Sequence, residues 1–149
     1  MWKNIVVVFL LISSFQVCAA DKGDKWKLNP TPSQVNEDAL FIPENLDSAF
    51  KELNSMLSPI LINEMKSGSE EDMIQYHHGL GRWIRNNWEL WAGSRLAKYF
   101  NDIGINHPDD MSGIILDSYW RQLNEKPIKL DEQIKYYQEY WADTEKGDE

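Results

Sequence analysis

Residues 77–121 read HHGLGRWIRNNWELWAGSRLAKYFNDIGINHPDDMSGIILDSYWR, and the spacing of apolar side chains within them decides the fold. Leu80, Ile84, Trp88 and Trp91 recur at intervals of four, four and three, the stripe of a helix that buries one side. Gly93-Ser94 restarts the chain as a helical segment to Ile103, which Gly104 terminates. His107-Pro108-Asp109-Asp110 opens another helix that carries Ile114, Ile115, Tyr119 and Leu123 to a stop at Pro127. The same stretch holds all three histidines, all four arginines and four of the seven tryptophans, while the lysines mostly lie outside it. Specific chemistry is expected where such side chains gather.

Helical spacing continues on both sides. After Pro43, apolar residues at Leu46, Ala49, Phe50, Leu53, Met56 and Leu57 define one face. Ser58-Pro59 supplies a cap and a first-turn proline for a short helix to about Lys66. Ser69, followed by Glu70, Glu71 and Asp72, starts the next with acids at its positive end. Gly79 and Gly81 are expected to interrupt that helix around the histidine pair. Asp131 caps a last helix with Ile134, Tyr137 and Trp141 on one face. No segment alternates like a strand, and there is no internal repeat. The expected fold is all-α, one compact domain of about six helices over residues 40–143.

The ends differ in character. Met1 to Ala20 has one early charge, Lys3, then an apolar run from Ile5, then the small residues Cys18-Ala19-Ala20. That is the layout of a secretory signal peptide, cleaved after Ala19 or Ala20. The expected destination is the periplasm or the extracellular space. Large residues precede Cys18, which disfavours lipid attachment there; removal of the peptide leaves no cysteine for a disulfide or a thiolate site. Residues 21–39 read as a polar linker around Asn29-Pro30-Thr31-Pro32-Ser33, with Trp26 and Leu28 as apolar exceptions. Residues 144–149 read as a disordered acidic tail. The chain carries a formal charge of −9, which argues against nucleic acid as a partner. No second long apolar run predicts stable membrane insertion.

Within the central block, Leu80-Gly81-Arg82-Trp83-Ile84-Arg85-Asn86-Asn87-Trp88-Glu89-Leu90-Trp91 is followed by His107-Pro108-Asp109-Asp110-Met111-Ser112. These segments resemble the signature of an uncharacterised bacterial family, a domain of unknown function. The resemblance covers roughly Ile42 to Pro127. It implies a small domain and carries over no activity, ligand or site residue.

The candidate residues divide into two readings. In the first, Arg82, Trp83, Arg85, His77 and His78 form a binding surface. Guanidinium groups three residues apart share a helix side and suit carboxylates or phosphates. Trp83, offset from the buried stripe, is expected to reach the surface beside them. The partner is then a protein or a small anionic ligand. The competing account of Arg85 pairs it with Asp109 or Asp110, tying two helices together. In the second reading His107, Asp109 and Asp110 serve a small exported hydrolase or metal-dependent enzyme, with His77 or His78. Against it, adjacent histidines on a helix point about 100° apart, and no His-x-x-x-His pair is present. His107 also fits the role of a simple helix cap, with Asp110 at the capping-box position. No phosphate loop or nucleophile elbow is visible, so no cofactor or metal is expected. The favoured expectation is a non-catalytic exported binding domain.

Overall fold

The computed structural model describes residues 41–146. The expected signal peptide, the linker over 21–39 and the last three residues of the tail lie outside them. Among the described residues every regular element is helical. The elements are α1 (Leu46–Met56), α2 (Pro59–Ser67), α3 (Ile74–Tyr76), α4 (Arg82–Asn87), α5 (Arg95–Asp102), α6 (Pro108–Leu123) and α7 (Leu130–Lys146). A 3-10 turn, Glu71–Met73, leads into α3, and a π turn, His77–Gly81, joins α3 to α4. Those pieces continue one another, so the described residues form six helical rods. No helix among them is long and apolar enough to cross a membrane.

Local chemistry sets most boundaries. Asn45 and Ser48 cap α1 reciprocally: the Ser48 amide donates to Asn45 Oδ1 at 2.9 Å and the Asn45 amide to Ser48 Oγ at 3.1 Å. Ser58 accepts from the Leu61 amide at 3.2 Å, with Pro59 opening α2. Ser69 and Asp72 exchange a similar pair of bonds at 2.8 and 3.3 Å. Gly104 ends the α5 segment at φ 86°, a left-handed conformation that glycine adopts freely.

Helix α6 is the axis of the domain. Eleven of its sixteen residues are buried, so it must be covered on nearly every side. Helices α1, α2, α4, α5 and α7 and the π turn all pack on it. Leu53, Leu80, Ile84, Trp88, Leu96, Phe100, Ile114, Ile115 and Tyr119 are fully enclosed around it. Burying a Leu or Ile side chain contributes about 1.5–3 kcal/mol, and this one cluster holds the helices together.

Two local expectations change. Gly79 and Gly81 do not break the helix; the chain passes through them in a π turn, where the Arg82 amide reaches back to His77 O. Gly81 eases close packing: a Cβ there would lie 3.2 Å from Arg85 Nη1 and 3.5 Å from Leu116 Cδ1. The aromatic stripe also ends early. Helix α4 stops at Asn87, and Glu89 takes a left-handed conformation at φ 52°. Trp91 is thereby thrown outward and is 58% exposed, whereas Trp83 is half-buried and meets Trp88 edge-on at 6.1 Å. At the other end, α7 runs from Leu130 to Lys146.

Candidate functional site

The π turn and α4 lie against the first turn of α6, and Asp109 is where they meet. Arg85 is only 6% exposed. Its Nη1 donates to Ser112 Oγ at 2.7 Å, and its Nη2 lies 3.2 Å from Asp109 Oδ1. Ser112 Oγ in turn donates to Asp109 O at 2.8 Å. His77 Nε2 approaches the same Asp109 oxygen at 3.4 Å. Burial, and after it the Arg85 charge, hold the His77 pKa below its ordinary value, against the pull of Asp109. Asp109 is therefore an already neutralised anion at a helix junction. The pairing of Arg85 with Asp109, one of the two accounts given for that arginine, is what the geometry shows.

His107 stands at the N-cap of α6, its Nδ1 accepting from the Asp109 amide at 3.4 Å. The same nitrogen lies 3.5 Å from Asp109 Oδ2. One nitrogen cannot serve both contacts: the cap needs its lone pair and an ion pair needs its proton. Asp110 makes no capping-box bond. Its Oδ2 accepts instead from Trp141 Nε1 of α7 at 2.7 Å. His78 and Arg82 face solvent one helical turn apart, and Arg82 has no ion-pair or hydrogen-bond partner among the described residues. The structure thus gathers His77, Arg85, His107 and Asp109 and leaves His78 and Arg82 outside that cluster.

Beside the cluster runs an open groove of about 490 Å³, between the Gly104–His107 corner and α7. Asp110 lies on one wall, with Tyr137, Gln138 and Trp141 opposite. The His107 and Trp141 rings are 5.3 Å apart and inclined at 37°. Trp91 meets His107 edge-on at 5.9 Å, and Tyr140 meets Trp141 edge-on at 5.4 Å. These rings form one continuous exposed aromatic row.

The family model described as "Domain of unknown function (DUF6794)" matches residues 42–123. The chain belongs to this family. No curated protein and no solved structure matches it. The DUF6794 match takes in α1 through α6, hence the whole Arg85–Asp109 junction and the Asp110 wall of the groove. The α7 wall lies beyond the matched residues.

Sequence reasoning missed the groove because Trp141 and Tyr137 read there as the apolar face of a last helix. The only available signal was an indole on that face with an N–H in need of a partner. A second missed residue is Asp117, on the wall of a cavity of about 340 Å³ shared with Glu70, His77 and Tyr136. Burial, then the nearby Glu70 charge, push its pKa up from 3.8 to about 6, with Arg121 opposing. Among the described residues no three His, Cys, Asp or Glu side chains are grouped so as to hold a metal ion.

Proposed function

We propose that this DUF6794 domain is an exported, non-catalytic binding module that meets its partner at the groove between the Gly104–His107 corner and α7. The observation that carries this reading is the exposed aromatic row Trp91–His107–Trp141–Tyr140. Surface aromatics grouped around a concavity mark recognition sites, because they bury large area at small entropic cost. The residues available for hydrolysis are otherwise engaged: Asp109 by Arg85 and His77, Asp110 by Trp141, His107 by the helix it caps. Arg82, without a partner among the described residues and one turn from His78, supports a second binding face on the other reading of the central block. Export rests on the layout of residues 1–20.

Affinity capture from the exported fraction separates the two faces. Trp91→Ala and Trp141→Phe should lose the captured partner while the far-UV circular dichroism stays helical; Arg82→Ala reports on the other face. Full capture by Trp91→Ala and Trp141→Phe refutes the groove reading, and full capture by Arg82→Ala as well refutes both faces. Export has its own test: N-terminal sequencing of the secreted protein should begin at Ala20 or Asp21, and recovery only of chains beginning at Met1 overturns it.

A further inference from the structure

We infer that the groove takes a cationic side chain, a lysine or arginine carried on a basic peptide segment of the partner. The inference rests on the groove being the recognition surface. Its starting point is a contrast between neighbouring acids. Asp109 is met by the Arg85 guanidinium and the His77 imidazole. Asp110 is 9% exposed, yet among the described residues no Lys, Arg or His pairs with it. Among the described residues the one hydrogen bond to its side chain comes from the Trp141 N–H. A carboxylate so enclosed is costly without a countercharge, and this one lies on the wall of a groove.

The rest of the wall suits a cation. Trp141 presents an indole ring, the most favourable of the aromatic faces for an ammonium or guanidinium group. His107 lies beside it and, while it caps α6, turns a lone pair rather than a proton toward Asp109. Among the described residues no lysine or arginine lines the groove, and the chain as a whole is at −9, so a basic segment is drawn toward it. The size points to a peptide over a lone small cation. At about 490 Å³ and open to solvent, the groove lies within the roughly 300–1,000 Å³ of sites that hold drug-sized ligands, room for a long basic side chain and the backbone beside it.

The test is calorimetric titration of the purified protein with acetyl-Ala-Arg-Lys-Arg-Ala-amide and with the same peptide carrying glutamine at the three basic positions. The basic peptide should bind and the glutamine peptide should not. Asp110→Asn should weaken binding about tenfold, while its side-chain oxygen still accepts from Trp141 and keeps α7 docked, as near-UV circular dichroism verifies. Glu132→Gln, an equal change of charge on the exposed side of α7, should leave affinity within about twofold. Equal binding of the two peptides, equal losses in the two variants, or no binding of the basic peptide overturns the inference. The groove reading is judged separately. If Trp91→Ala and Trp141→Phe abolish partner capture while the basic peptide fails to bind, the cation falls and the groove stands. If they leave capture intact, the groove itself is wrong.

Discussion

Gly113 sits in the middle of α6 directly beneath Tyr137 of α7. A methyl group added there would collide with the Tyr137 hydroxyl oxygen and lie 3.4 Å from its Cζ. Two effects of Gly113→Ala therefore oppose each other. Alanine favours the helix over glycine by about 1 kcal/mol, whereas forcing an atom into a filled contact costs about 1–3 kcal/mol. The collision is with a ring tip on a helix packed to the domain through Ile134 and Tyr137, so the second effect should win. We expect Gly113→Ala to lose up to about 2 kcal/mol in urea unfolding followed by circular dichroism, with a weakened near-UV signal as α7 lifts. Tyr137→Phe removes the obstructing oxygen. That hydroxyl has no hydrogen-bond partner among the described residues, so Tyr137→Phe alone should cost less than about 1 kcal/mol. The double variant should then recover most of the loss, a coupling of at least about 1 kcal/mol. A Gly113→Ala protein as stable as the parent, or a double variant as unstable as Gly113→Ala, refutes the reasoning.

Arg85→Met leaves Asp109 without its guanidinium and Ser112 without its donor, and should cost about 3 kcal/mol. Arg85→Lys should not restore it, because one ammonium cannot span both acceptors as the fork does; a loss under about 1 kcal/mol in urea unfolding contradicts this. Acid and alkaline shifts should pull in opposite directions. Asp117 has a folded pKa of about 6, above its ordinary 3.8, so the stability it contributes is present at low pH and is lost as pH rises from about 4 to about 6. Asp117→Asn should flatten that fall and raise stability at neutral pH by up to about 3 kcal/mol. His77 is lowered below 6.5, so its contribution is present above that value and lost as pH falls beneath it; His77→Gln should remove the loss. Melting curves between pH 4 and 8 check both, and variant curves parallel to the parent's refute the assignments.

The helices were legible wherever a boundary is made by neighbours in sequence. Ser58 with Pro59 and His107 with Pro108 each mark a helix start from within four residues. The Arg85–Asp109 pair was legible for another reason: an arginine in an acidic chain, opposite two aspartates at a helix start, has an evident partner. The family was visible on the same block. What could not be read was any contact set by how rods lie across one another. Asp110 is joined to Trp141 across 31 residues, and Tyr137 meets Gly113 through the packing of two helices, so the groove had no local signature. Trp91 and Trp83 were exchanged because period counting assumes an unbroken helix, and Glu89 ends that assumption with one left-handed residue.

The π turn has a consequence for rotational phase. A strict repeat of 3.6 residues counted from buried Met73 would bring Asn87 and Trp91 to the inner side. A turn closed from residue i to i+5 holds one residue more than an α turn, and beyond it the inner side carries Arg85 beside Ile84, and then Trp88. One extra residue thus selects which side chains the rod delivers to α6, as a single tooth sets the timing of a gear. It places a guanidinium in the interior, where Asp109 receives it.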